Sequence, residues 1–140
     1  IAEGSANYGI DLAFPGHERT DFEKRVLYPL AGLDPATAEA QTQLLALTRE
    51  LARAEYTVAD AYLAGRIDRE TALDQLQKYS LVARDRANQR LSFIETYRSY
   101  IINYGLGRDM VQAWVEDQGP DHWATTERLL ASQTLPVDLD

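Results

Sequence analysis

The spacing of apolar residues is helical along almost the whole chain. Apolar positions recur at steps of three and four, and no stretch alternates with a period of two for long enough to indicate a β-strand. Gly, Pro and Asp residues divide this pattern into segments of helical length. We therefore predict an all-α fold, an irregular multi-helix bundle of about six or seven helices around one long central helix, forming a single domain over residues 1–140.

The longest predicted helix begins at Asp34-Pro35, where Asp is a favoured N-cap and Pro is favoured at the first helical position. Gly65 is expected to end it. Its main apolar row alternates steps of four and three, and comprises Ala40, Leu44, Leu47, Leu51, Ala54, Val58 and Ala61. A second row (Leu45, Ala52, Ala59, Leu63) lies beside the first. We expect this helix to be covered on two sides.

Two helices are predicted before the long helix. The first begins at Ile1 and ends near Phe14, where Pro and Gly follow. The second extends from Asp21 to Leu30, and Pro29 must bend or end it.

Later helices are predicted from their N-caps, Asp68 and Asp121. The residues from Leu135-Pro136 onward are interpreted as a tail.

A helix predicted from Arg84 to Tyr104 contains an aromatic row. Its members follow at steps of four, three and four and so share one face: Phe93, Tyr97, Tyr100 and Tyr104. We expect Gly105 and Gly107 to mark a helix break or a close helix crossing, because no strand precedes them as a phosphate-binding loop requires.

Beside the aromatic row, Arg98 falls between Ile94 and Ile101 on a face expected to be buried or half-buried. A buried arginine needs a carboxylate partner, because an unpaired buried charge is costly. One interpretation assigns Arg98 and the tyrosines to the core. In the other interpretation, a tyrosine hydroxyl and Arg98 point into a cleft, where they stabilise an oxyanion or bind a substrate carboxylate.

The composition excludes several functional classes. The chain is 45% hydrophobic and 26% charged, which is typical of a globular protein. Its net charge of −8 argues against nucleic-acid and membrane-surface partners. Cysteine is absent, so disulfides and cysteine-zinc sites are excluded, and we expect a cytoplasmic location. His17 to Asp21 differs from the zinc-binding HExxH pattern at its last position and is interpreted as a helix start.

The first residues of the chain are unusual for a helix. Gly4 and Gly9 each cost about 1 kcal/mol of helix propensity relative to Ala. Such small residues are favoured where another helix, or a bound ion with its ligands, approaches the backbone. Because the chain begins with Ile1 rather than Met, we expect it to be the C-terminal part of a longer chain.

The segment Glu3-Gly4-x-Ala6-Asn7-Tyr8 resembles the downstream zinc-ligand helix of gluzincin metallopeptidases. The whole chain resembles the C-terminal helical part of a bacterial family of such peptidase-like proteins. In that family the first segment precedes an Arg-Ser-Tyr-x-x-Asn-Tyr segment, which here comprises Arg98, Ser99, Tyr100, Asn103 and Tyr104. The resemblance implies that Glu3 is a zinc ligand, that Tyr100 or Tyr104 stabilises an oxyanion, and that Arg98 is a substrate or structural partner.

The resemblance also implies that the zinc site includes residues outside these 140. No HExxH motif occurs in the 140 residues, so both His ligands and the general base are expected upstream of Ile1. The implied partners are the upstream part of the same protein and a peptide substrate, and this chain alone is expected to bind zinc poorly and to hydrolyse nothing. The alternative is a non-catalytic acidic scaffold or protein-interaction module, whose long helix presents a groove to a partner.

Overall fold

A computed structural model of the protein describes residues 1–139, and within that range it is helical and contains no β-strand. The all-α helical bundle is thus confirmed. The α-helices described are α1 (Ala2–Ala13), α2 (Glu18–Phe22), α3 (Tyr28–Ala31), α4 (Ala38–Leu63), α5 (Arg69–Ser80), α6 (Arg84–Tyr97), α7 (Ile102–Asp117) and α8 (His122–Ala131). None of the helices in this range is long and apolar enough to cross a membrane.

The described residues form two compact units. The first comprises Ile1–Gln41 together with the residues from Asn103 onward, and the second comprises Thr42–Ile102. The organisation of residues 1–140 as a single domain stays a prediction.

The first unit packs α1, α7 and α8 around a small apolar core. Its buried members are Tyr8, Val111, Val115, Leu129 and Leu139. The interpretation of the last residues as a tail is therefore wrong for those described. Pro136–Leu139 forms a 3-10 turn, and burial of Leu139 in this core holds the turn in place.

The second unit packs the end of α4 against α5 and α6. Its buried core comprises Val58, Ala59, Ala72, Leu73, Leu76, Ala87, Leu91, Ile94 and Ile101. Polar contacts also join α4 to α6: Arg90 Nη1 lies 2.9 Å from Glu55 Oε2, and the Tyr62 hydroxyl donates to Glu95 at 2.7 Å. Burial raises the pKa of Glu55, and the attraction of Arg90 only partly opposes that rise.

The ends of α4 follow the predicted signals. Asp34 accepts a hydrogen bond from Ala36 N at 2.9 Å, and a 3-10 turn over Pro35–Thr37 leads into the helix. Gly65, at φ +69°, ends it. Its N–H donates to Tyr62 O at 2.9 Å and the next N–H, of Arg66, donates to Ala61 O at 2.8 Å. These two bonds form a Schellman motif, which satisfies the last carbonyls of the helix.

The prediction that α4 is covered on two sides is wrong for its first half. Every residue of 41–53 is exposed except the half-buried Thr48. Leu44, Leu47 and Leu51 of the predicted row are 48%, 66% and 39% exposed. Only the second half, around Val58 and Ala59, has helices packed against it. Within residues 1–139, the first half of the apolar row is therefore left exposed to solvent.

The predicted helix from Arg84 to Tyr104 is interrupted. Helix α6 ends at Tyr97, and Arg98 takes φ +54° and ψ −120°. A 3-10 turn over Arg98–Ile101 follows, and α7 then continues through Gly105 and Gly107 to Asp117. The break therefore lies before the glycines rather than at them.

Other local predictions agree with the structure. The Asp68 side chain accepts from Thr71 N at 2.8 Å and the Asp121 side chain from Ala124 N at 3.0 Å, so both are N-caps. A π-helical segment, Glu23–Leu27, joins α2 to α3 just before Pro29. A wider π turn accommodates a proline, which lacks an N–H and crowds the preceding turn.

Candidate functional site

The first candidate site is the crossing of α1 and α7 in the first unit. A Cβ added to Gly4 would lie 2.8 Å from Arg108 N and closer still to the carbonyl group of Gly107. Real Cβ atoms essentially never make contacts that short, so only glycine fits at this position without a shift of the backbone. Gly4 and Gly107 therefore form a close helix crossing, which confirms one of the two predicted explanations for each glycine.

Polar contacts hold the same two helices together. Asn7 Nδ2 donates to the Tyr104 carbonyl at 2.9 Å. Arg108 donates from Nη2 and Nε to Asp11 Oδ2 at 2.5 and 3.1 Å. The Arg108 side chain is 13% exposed and the Asp11 side chain 33%, so the ion pair is partly shielded from water and links α1 to α7. The segments around Glu3 and Tyr104, which carry the resemblance, thus lie against each other.

Glu3 lies in the first turn of α1, next to this crossing, and is half-buried. A carboxylate in that position interacts favourably with the positive end of the helix dipole. No group of three or more His, Cys, Asp or Glu side chains in residues 1–139 is arranged to hold a metal ion. Glu3 therefore belongs to no such group made up of residues 1–139.

Tyr8 belongs to the motif but lies in the core, with 3% of its surface exposed. Burial raises the pKa of its hydroxyl, the charges of Glu116 and Asp11 raise it further, and Arg108 opposes them. Tyr8 is consequently a neutral packing residue at ordinary pH and is poorly suited to act as a base.

The aromatic row does not form one stripe on one helix. The Phe93 and Tyr97 rings, both on α6, lie 4.6 Å apart, and the Tyr97 and Tyr100 rings lie 6.2 Å apart across the end of that helix. Tyr104 lies on α7 in the first unit, beyond the 3-10 turn over Arg98–Ile101. Tyr100 and Tyr104 are each 40% exposed.

Arg98 departs from its predicted environment. It is exposed rather than buried, and no side chain in residues 1–139 forms a hydrogen bond or ion pair with its guanidinium. The helix break removes it from the apolar face that Ile94 and Ile101 occupy. A buried carboxylate partner is therefore unnecessary, and the prediction of one is wrong.

The two histidines contribute no metal site among the described residues. His17 occupies the N-cap position of α2, as the helix-start interpretation requires, and His122 is the first residue of α8. The contact between Asp11 and Arg108 was not anticipated. No local pattern could have indicated it, since 97 positions separate the two residues.

Comparisons with known proteins give this chain no family. No protein-family model matches it, and neither the curated proteins nor the solved structures contain a match.

Proposed function

We propose that this chain is the C-terminal helical part of a zinc-dependent, peptidase-like hydrolase, in which Glu3 supplies the third protein ligand of the metal. Tyr104, on the helix that crosses beside Glu3, is the tyrosine that we place at the site. Tyr100 and Arg98 belong to the second unit, and their catalytic roles stay predictions of the resemblance.

The observation that supports this proposal is the contact between the segment of residues 3–8 and Tyr104, the last residue of the second motif segment. Asn7 donates to the Tyr104 carbonyl, and Gly4 meets Gly107 within the same crossing. Residues far apart in sequence are thereby held at fixed positions beside a half-buried carboxylate. A preorganised carboxylate on a rigid helix is what a metal site requires of its ligands.

The chemistry of Glu3 is compatible with zinc. A glutamate oxygen binds Zn²⁺ at about 2.0–2.2 Å, and two histidines with one glutamate form a known catalytic ligand set. The other ligands would come from residues outside this chain. The chain alone is accordingly expected to bind zinc weakly.

The test uses the complete protein that contains this chain. We expect about one zinc ion per molecule by elemental analysis, peptide hydrolysis that a chelator abolishes, and a higher Tm with zinc than without. Glu3→Gln should lose zinc and lower hydrolysis by at least 100-fold.

Glu127→Gln is the matched control, because Glu127 is an exposed glutamate of the same unit and the charge change is identical. A complete protein without zinc, or a Glu3→Gln variant that keeps both zinc and activity, would contradict the proposal.

The exposed half of α4 favours a second candidate, a protein-interaction module. A helical stretch in which twelve of thirteen residues are exposed gains little from packing, and isolated helices of that length are only marginally stable in water. Its leucines Leu44, Leu47 and Leu51 follow the steps of a heptad seam. We infer that the partner is another amphipathic helix.

The charge beside the seam indicates which kind of helix fits. In the heptad frame, the positions bordering these leucines hold Gln43, Thr48 and Glu50. The only charge among them is acidic, so a basic residue opposite Glu50 is favoured. A second copy aligned in parallel would instead bring Glu55 close to Glu50.

A synthetic amphipathic helix with leucine in its seam and lysine at its flanks is the probe for this interaction. We expect it to bind the chain, measured by fluorescence anisotropy, and to bind Leu44→Ser/Leu47→Ser at least tenfold more weakly. Ala46→Ser is the control, because Ala46 lies outside the leucine row of the same helix. Equal binding of a glutamate-flanked peptide, or unchanged binding to the double variant, would exclude this candidate.

A further inference from the structure

The second unit contains a cavity of about 510 Å³, a size typical of small-molecule sites. The last turns of α4 form one wall, through Tyr56, Ala59 and Leu63, and the turn after α6 forms the other, through Arg98 and Ile101. Ala59 and Ile101 are buried members of the unit's core. The cavity is therefore bounded by packed helices rather than by mobile side chains alone.

The charges in the cavity wall do not cancel. Asp60 lines it, but the Asp60 carboxylate forms an ion pair with Arg66. The Arg98 guanidinium has no such partner among residues 1–139. A largely apolar cavity thus contains one uncompensated positive charge, which favours a ligand with a single negative charge.

The backbone at Arg98 supports a functional role. Its φ of +54° and ψ of −120° lie in a region that glycine adopts easily and residues with a side chain rarely adopt. A strained residue is retained where the surrounding structure forces the conformation, and such residues concentrate at binding and catalytic sites. Glycine would satisfy the turn at lower cost, so the side chain of Arg98 needs another explanation.

We propose that this cavity binds a carboxylate with an apolar body, and that Arg98 binds the carboxylate group. The planar guanidinium presents parallel N–H donors that match the two oxygens of a carboxylate. The apolar walls at Ala59, Leu63 and Ile101 contact the body of the ligand. The single uncompensated positive charge of Arg98 matches the single charge of a carboxylate better than the higher charge of a phosphate.

This site is independent of the proposed zinc chemistry. It lies entirely within the second unit, needs no metal and does not involve Glu3. Loss of the zinc proposal would leave it unaffected.

Two sources of such a carboxylate are distinguished by the probes. Decanoate represents a fatty acid, with decanol as its uncharged counterpart. N-acetyl-Leu-Leu represents an apolar peptide C-terminus, with its C-terminal amide as counterpart. Binding is measured by calorimetry and by amide chemical shifts of the cavity residues. We expect one carboxylate probe to bind at least tenfold more tightly than its counterpart and to shift Ala59 and Ile101.

Three variants separate binding from a structural role. Arg98→Gln should weaken the preferred carboxylate at least tenfold, whereas Arg86→Gln, the same change on an exposed arginine of α6, should not. Arg98→Gly should also lose binding while raising the Tm by a few degrees, because glycine relieves the backbone strain.

The proposal is overturned if neither carboxylate binds, if the uncharged counterparts bind equally well, or if Arg98→Gln binds normally. It is also overturned if Arg98→Gly lowers the Tm, since the arginine would then have a structural role that accounts for the strained turn.

Discussion

At the scale of single residues, the same amino acid has different roles at neighbouring positions of α1. Gly4 meets the backbone of α7, and no side-chain atom fits there, whereas nothing lies within 4 Å of a Cβ added at Gly9. Arg98 presents the opposite case, because a residue with a side chain occupies a backbone conformation suited to glycine. Its strain costs on the order of 1–3 kcal/mol.

The two glycines make a matched pair for measurement. Gly4→Ala should destabilise the protein by about 1–3 kcal/mol, because the added methyl group separates α1 from α7. Gly9→Ala, a control in the same helix, should stabilise it by about 0.5–1 kcal/mol through helix propensity. Urea unfolding gives both values. A Gly4→Ala variant as stable as the wild type would show that the helices do not cross this closely.

At the scale of elements, the residues near a helix end determine where the helix begins or ends. Whether a long helical pattern forms one helix or two depends on tertiary contacts as well. The N-caps at Asp34, Asp68 and Asp121 and the glycine at Gly65 could be predicted, since each acts within one turn of its own helix. The break at Arg98 could not be predicted, because the apolar spacing continues across it. Packing of Ile101 in the second core favours the turn, and that contact is invisible in a local pattern.

The cap at Asp68 should make stability depend on pH. Hydrogen bonds from the Thr71 side chain and backbone N–H lower the pKa of Asp68, so its charged form is favoured in the folded state. The stabilisation is therefore present above the ordinary value, about 4, and is lost as pH falls through the lower folded value. Asp68→Asn should lower the Tm at pH 7, and its difference from the wild type should shrink below about pH 4.

Thermal melts at several pH values check this dependence. Asp117→Asn serves as the comparison, because Asp117 is exposed at the end of α7 and caps no helix. A difference between Asp68→Asn and the wild type that stays constant down to pH 2 would exclude the capping carboxylate as its cause.

At the scale of the whole molecule, the described chain divides its apolar residues between two small cores rather than one. Each core is built from a few helices. The first half of α4 belongs to neither core and is exposed to solvent. The exposed leucines of α4 and the apolar cavity beside Arg98 are the surfaces on which our proposals of a partner helix and of a carboxylate ligand rest.

The sequence by itself determined the helical class, most helix ends and the net charge, because spacing, caps and composition act over one or two helical turns. It also indicated the close approach of another helix as one explanation for Gly4 and Gly9 and for Gly105 and Gly107, which the structure confirms at Gly4 and Gly107 but not at Gly9. Only the tertiary structure decided that these two glycines meet each other, that Asp11 pairs with Arg108, and that Arg98 leaves the apolar face. Those outcomes depend on contacts between residues far apart in the chain. Such contacts stabilise the fold only once the helices have packed against each other.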